Sequence, residues 1–350
     1  MQDIDWLENK IAHISAELTQ QAQQKQNSLT KPPGSLGRLE EIAIELSAMQ
    51  KIDTPIMRNI HITVFAADHG VAQENVSAFA QVVTLEMVKN FACGGAAISV
   101  LAKQINACLE VVNVGTVSEH DTMPGVVVQR IAAGTKNFSK EAAMTQDQLH
   151  RALNAGKSAA ERALQKTPQL FIGGDMGIAN TSSATAIACA LLNEEAKNMT
   201  GPGTGLDEAG VNHKAQVINA SLKLHSEKMC SPLDVLQCVG GFEIAALTGA
   251  YLLCAQNNCP VMVDGFISSV AALVAIKINP QVKAWMFFSH ASAEPGHKII
   301  MQALQVEPLL DMKMRLGEAS GAAVVVPLMR LACELHNNMA TFEQAGVTNK

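Results

Sequence analysis

Aromatic side chains are scarce in this chain: one Tyr, two Trp and ten Phe make up 4% of 350 residues. A sandwich core built on aromatic packing is therefore disfavoured. Ala, Val, Ile, Leu and 16 Met supply most of the 48% hydrophobic content, which suits helices laid on a parallel sheet and is enough for a sizeable core. Excess positive charge is also missing. A net charge of −6 argues against a nucleic-acid surface, which would show a basic stripe. It leaves room for a local phosphate site made of backbone N–H groups in glycine turns and at helix N-termini. The eight cysteines include no C-x-x-C pair and sit mostly in apolar runs, so they read as reduced thiols rather than disulfides or zinc ligands. The opening stretch MQDIDWLENK lacks a signal-type apolar segment, and the apolar run from Phe242 to Ala255 is too short to span a bilayer. A cytoplasmic protein with no membrane role is expected.

The length fits one large α/β domain with an appendage, or two domains. Residues 3–27 carry helical spacing (Ile4, Leu7, Ile11, Ile14, Leu18) up to Lys31-Pro32-Pro33-Gly34, which forbids further helix. The pattern resumes from Leu36 to Met49. Six β-rich runs then alternate with helical stretches: Ile60–Ala67, Cys108–Val114, Val126–Ile131, Leu170–Gly173, Pro260–Asp264 and Ala284–Ser289. Such alternation predicts a mostly parallel sheet covered by helices on both faces, with ligands bound beyond the carboxyl ends of the strands. A last helix, about Gly321 to Met339, contains Pro327 and is expected to kink or restart there. The expected division is an α/β catalytic domain over residues 51–325 and a small helical subdomain from 1–50 with 326–350.

Glycine and polar residues gather where the strands end. The segments are Asp68-His69-Gly70, Gly173 to Thr181, Gly201 to Asp207, Asp264-Gly265-Phe266, Ser289 to Glu294 and Gly317 to Ala323. Small residues there let a backbone approach a ligand, and their N–H groups can cradle phosphate; a single such loop is more often plain turn chemistry, and it is their number at strand ends that points to a site. Asp68-His69 reads as an orienting hydrogen-bond network sooner than a metal pair. No H-E-x-x-H, P-loop or G-x-S-x-G pattern is present, so zinc protease, P-loop and serine hydrolase chemistry are all disfavoured. Glu318, just before an apolar helix, has two readings. It either favours the helix N-terminus electrostatically, or acts as a general base with its pKa raised by partial burial.

Read as an ordered series, these segments resemble a known family, the nicotinate-nucleotide–dimethylbenzimidazole phosphoribosyltransferases of cobalamin lower-loop assembly. The matching strings are Lys31 to Glu40 (KPPGSLGRLE), Ala67 to Val71, Val83-Thr84 with Gly94-Gly95, and Gly174 to Thr181. They continue with Val239 to Glu243, Asp264 to Phe266, Ser289 to Glu294 and Leu316 to Ala323. The resemblance implies a Rossmann-like, mostly parallel sheet, a helical subdomain from both termini, a homodimer, and no metal or organic cofactor. It also implies that Glu318 is the base that takes a ring proton as the incoming base displaces nicotinate from nicotinate mononucleotide. For the nucleotide phosphate, the expected seat is the backbone of Gly177, Gly203, Ser320 and Gly321, helped by Ser292 and Lys214.

Three departures from the family pattern stand out. Asp175 replaces a glutamate expected near the sugar and the leaving base, and its alternative role is to cap the helix starting near Ile178. Ala319 replaces a glycine, at a cost if that position needs positive φ. Phe79 and Met87 fall where one form of the family has polar contacts to the acceptor, which leaves the preferred base open. The competing reading is a catalytically weak paralogue that binds α-ribazole-type nucleotides or serves as a partner subunit.

Overall fold

The computed structural model describes residues 3–118 and 123–348; the first two residues of the polar N-terminal stretch and the last two of the chain lie outside that range. Six strands form one parallel sheet: β1 (Ile60–Ala67), β2 (Cys108–Gly115), β3 (Val126–Val128), β4 (Leu170–Met176), β5 (Val261–Val263) and β6 (Met286–Phe288), in the order β3-β2-β1-β4-β5-β6. This is the doubly wound Rossmann order, whose switch point lies between β1 and β4. All eight residues of β1 are buried, as a central strand covered on both faces requires.

Fourteen α-helices surround the sheet among the described residues. Before β2 come α1 (Ala16–Ser28), α2 (Arg38–Gln50), α3 (Val82–Ala92) and α4 (Ala97–Gln104). Between β3 and β5 lie α5 (Gln146–Leu164), α6 (Asn180–Leu192), α7 (Ala196–Met199), α8 (Glu208–His225), α9 (Pro232–Val239) and α10 (Phe242–Gln256). The chain finishes with α11 (Phe266–Ile278), α12 (Pro295–Leu304), α13 (Ser320–Asn338) and α14 (Phe342–Ala345). Helix α10 is buried on every side, which explains its unbroken apolar composition without a membrane. It packs closely on α5 because Gly156 leaves no Cβ to meet the Ala246 carbonyl. The apolar stretch Val82–Gln104 is long enough by composition to cross a bilayer, but it is two helices, α3 and α4, separated by a turn at Gly94.

The terminal elements pack together. Helices α1 and α2 lie against each other, and α2 lies against α13. Thr30 N–H donates to the Ala340 carbonyl at 3.0 Å. The long KPPGSLGRLE string has a structural explanation: Glu40, buried, pairs with Lys31 at 2.8 Å and accepts the N–H groups of Gly34 and Leu36. One carboxylate thus ties the Pro-Gly turn to the start of α2.

One expectation about the ends needs correction and another is narrowed. Residues 3–27 are not one helix; a 3₁₀ turn at Asp5–Glu8 is followed by a non-helical stretch, and α1 begins only after Ser15, whose side chain caps it by accepting the Leu18 N–H. Side chains from far along the chain hold that stretch out of helix. Gln281 accepts the Ile11 N–H, Asn279 donates to the Asn9 carbonyl and Trp285 donates to the Ala12 carbonyl. Helix α13, in turn, runs through Pro327 without a restart. It therefore joins the strand-end loops to the terminal helices.

His61 on β1 is 1% exposed, stacked on Phe171, with neither ring nitrogen hydrogen-bonded. Burial lowers its pKa to about 4. Because the unfolded histidine titrates near about 6.5, the unfolded chain binds more protons between those values. Stability is then complete above the upper value and is lost as pH falls toward the lower one. His61→Leu should therefore narrow the gap between melting temperatures at pH near 8 and pH near 5 by a few degrees. An unchanged gap would show that this ring carries no such penalty.

Candidate active site

A cavity of about 500 Å³ opens beyond the carboxyl ends of β4, β5 and β6, a size usual for small-ligand sites. Its walls come from the turns after those strands, the loop at Gly203-Thr204 and the segment Arg315-Leu316-Gly317. Phe79, Asp175, Gly177, Gly203 and Ser292 lie on the wall, as the sequence reading expects of a shared site. Glu318, Ser320, Gly321 and Lys214 lie directly behind it. Glu318 and Ser320 follow Gly317, Gly321 packs on the His290 ring, and Lys214 donates to the wall residue Thr181 at 2.7 Å. Met87 is not on the wall. It is half-buried on α3 against the hydrophobic core, so a direct contact to a bound base is not supported there.

The base candidate is held by an unusual turn. Gly317, Glu318 and Ala319 all have positive φ, at 83°, 63° and 67°. For the two residues with a Cβ this costs about 1–2 kcal/mol each. Alanine thus stands where the family pattern has glycine, in the left-handed conformation that glycine would take freely. The turn is pressed against β4: a Cβ on Gly174 would come within 2.8 Å of Glu318 C and Ala319 N. Glu318 is 5% exposed, and its Oε2 has no partner. Burial, with the charge of Asp264 adding to it, raises its pKa to about 7. A carboxyl with that pKa is half-ionised near neutrality and suited to take a proton.

Asp175 sits on β4 itself rather than in the following loop, because the strand runs on through Gly173-Gly174 to Met176. It accepts a hydrogen bond from Asn180 Nδ2 at 3.0 Å. It does not cap α6, whose N-cap is Ala179 without any side-chain cap. Burial, reinforced by Asp264 and Glu243, pushes its carboxyl well above the usual range. The turn that follows is fixed by Thr84, whose Oγ1 accepts the Ile178 N–H at 3.1 Å. This accounts for the Val83-Thr84 match.

The anion seat differs in detail from expectation. The Gly203 N–H donates to Glu294 Oε1 at 3.1 Å, and the Ser320 N–H to the Gly317 carbonyl at 3.0 Å. Buried amides must find a partner within the fold, and these two have done so. Glu294, Asn180 and Thr181, which the sequence offers only as members of their motifs, also line the wall, as does Arg315, which lies in none of them. Arg315 donates to the Gly203 carbonyl at 3.1 Å, so the Gly203 residue is held at both its N–H and its C=O. Burial lowers the Lys214 pKa to about 8, against the pull of Glu294. Asp68-His69 is an orienting network: His69 Nε2 meets Glu243 Oε1 at 2.6 Å, and Asp68 accepts the Val117 N–H at 2.8 Å.

A doubly wound parallel sheet with a buried glutamate, a buried lysine and glycine turns around one strand-end cavity is the layout of an α/β enzyme whose site lies beyond the carboxyl ends of its strands. Comparison with known proteins narrows this. A family model described as phosphoribosyltransferase matches residues 11–347. Nicotinate-nucleotide–dimethylbenzimidazole phosphoribosyltransferases of Pseudomonas putida and Pseudomonas aeruginosa are 53% and 50% identical; each alignment covers 99% of this chain, and 98% and 99% of the relative. The crystal structure of CobT from Thermus thermophilus superimposes with a TM-score of 0.91 at 40% identity, covering 95% of this chain and 100% of that one. The chain belongs to the nicotinate-nucleotide–dimethylbenzimidazole phosphoribosyltransferase family.

The Gly174 contact yields a test. Gly174→Ala should displace the Glu318 turn and lower kcat about 10²-fold, the usual effect of misplacing a reacting group by an ångström. Wild-type turnover in a folded Gly174→Ala protein would contradict the placement.

Proposed function

We propose that this enzyme transfers the phosphoribosyl group of nicotinate mononucleotide to 5,6-dimethylbenzimidazole, or a similar base, giving α-ribazole 5′-phosphate and nicotinate in cobalamin biosynthesis. The observation that carries the catalytic reading is Glu318, a buried carboxyl with an unpartnered oxygen and a pKa of about 7 beside the cavity. One ring nitrogen of the acceptor attacks the anomeric carbon with its lone pair. The bond to nicotinate breaks, its electrons return to the pyridine ring, and Glu318 takes the proton from the acceptor's other nitrogen. Backside attack turns a β-nucleotide into an α-nucleotide. The leaving ring discards a formal positive charge, so the enzyme's main tasks are orientation and proton removal.

Gly177 and Ser292 on the wall, with Lys214 and Gly321 close behind, are proposed to hold the phosphate; Gly203 and Ser320 contribute shape, since their amides are already bonded. Phe79, 53% exposed on the wall, and Leu316 offer apolar faces to the acceptor ring. The homodimer, the cytoplasmic location and the division into residues 51–325 and 1–50 with 326–350 belong to the same proposal. The homodimer rests on the family resemblance, the cytoplasmic location on the unpaired cysteines and polar opening stretch, and the division on the resemblance and the packing of α1, α2 and α13.

Glu318→Gln keeps the shape and removes the proton acceptor. It should lower turnover about 10²–10⁴-fold and leave nucleotide binding intact. In the wild type, kcat/KM should rise with pH to a plateau above about 7, because the base works only when ionised. Near-normal turnover by the glutamine variant would remove Glu318 from this role. Asp175→Glu should change KM for nicotinate mononucleotide more than kcat, since a one-methylene retreat is bridged by water at a cost of about 0–2 kcal/mol. Activity that appears only in Asp175→Glu would instead favour a non-catalytic paralogue.

A further inference from the structure

Asp264 follows β5 and is fully buried, and the transfer chemistry above gives it no task. Its carboxylate faces the start of α13. Oδ1 accepts the Ala322 N–H at 2.8 Å, and the amides of Ala319 and Gly265 face the same carboxylate. Ala319 directly follows Glu318, so one of these amides belongs to the peptide that carries the base. That peptide is strained, with two consecutive non-glycine residues at positive φ. Such backbone persists only where its surroundings over-determine it. The bonds of Ser320 to Gly317 are internal to the turn, whereas Asp264 fastens the turn to the sheet.

The charge of Asp264 reaches Glu318 as well. Burial pushes Asp264 toward the neutral form, while His290 and the three amides favour the ionised one. His290 Nδ1 stands 3.9 Å from Oδ1, engaged with Ser289 Oγ at 3.1 Å, and Oδ2 has no partner. Asp175 at the end of β4 also senses the charge of Glu318, and Glu243 at the start of α10 acts on Asp175 in turn; His290 after β6 and Arg315 on the preceding loop line the same cavity. Asp175 is held toward its neutral form by burial, and Arg315 is engaged with the Gly203 carbonyl.

We infer that Asp264 is a positioning residue for the transfer: it fixes the left-handed Glu318-Ala319 turn to the end of β5 and sets a second buried acid against that turn. This rests on Glu318 being the proton acceptor. The test is the pH dependence of kcat/KM in Asp264→Asn, with Glu318→Gln measured alongside. Asparagine keeps an acceptor for the Ala322 amide and removes the charge. The acid limb should move down by about one pH unit, the low end of what a neighbouring charge does. Plateau kcat should fall and nucleotide affinity should stay near wild type. Should the asparagine variant melt below assay temperature, Asp264→Ser also removes the charge and keeps an acceptor oxygen. An unshifted acid limb in a folded charge-free variant, with Glu318→Gln inactive, overturns the inference and leaves the base assignment standing. An active Glu318→Gln overturns the base assignment itself.

Discussion

The site depends on how the N-terminus of one helix is fastened to one sheet. Helix α13 begins in a left-handed turn, and the Ala322 amide in its first turn donates to the Asp264 carboxylate at the end of β5. Amides at a helix start need acceptors, and a buried acid needs donors. That bond ties the helix start to the sheet, and Glu318 is held there where water is largely excluded. Gly174 completes the constraint from below, because only a residue without a Cβ lets β4 approach the turn so closely.

The same burial sets the electrostatics. Asp175, Asp264, Glu294 and Glu318 all have carboxyl groups pushed upward, chiefly by loss of water, in a chain that is acidic overall. Like charges crowded in a dry site cannot all ionise. Two cations stand among these acids: Lys214 is engaged with the turn at Thr181 and Arg315 with the turn at Gly203. The phosphate seat proposed above draws on Lys214 and on backbone amides, the means by which a net-negative protein can present a local anion site.

Much of this is legible in the residues. Strand β1 can be read to its true bounds because a central parallel strand is buried throughout, and five of the six glycine and acid clusters converge on one strand-end cavity, Asp68-His69-Gly70 being the exception. The misses have physical causes. Helical spacing at Ile4, Leu7 and Ile11 looks continuous, but side chains of Asn279, Gln281 and Trp285 fix that backbone outside the helix, and local periodicity cannot register partners so distant. The Gly203 amide looks free in the sequence because its acceptor, Glu294, is 91 residues away. Asp264 reads only as a strand end, since its Ala322 donor is 58 residues further on. Asp175 is a strand residue facing Gly317, and not a cap, because two glycines carry β4 past the end of its apolar run as far as Met176.

The proposed mechanism turns on the protonation state of one carboxyl group, that of Glu318. Difference infrared spectroscopy of the carboxyl band, wild type minus Glu318→Gln, titrates that group directly and needs no turnover. A midpoint of about 7 is expected. A midpoint in the ordinary glutamate range, about 4.3, would mean that the buried turn does not raise the base, and would contradict the mechanism built on it.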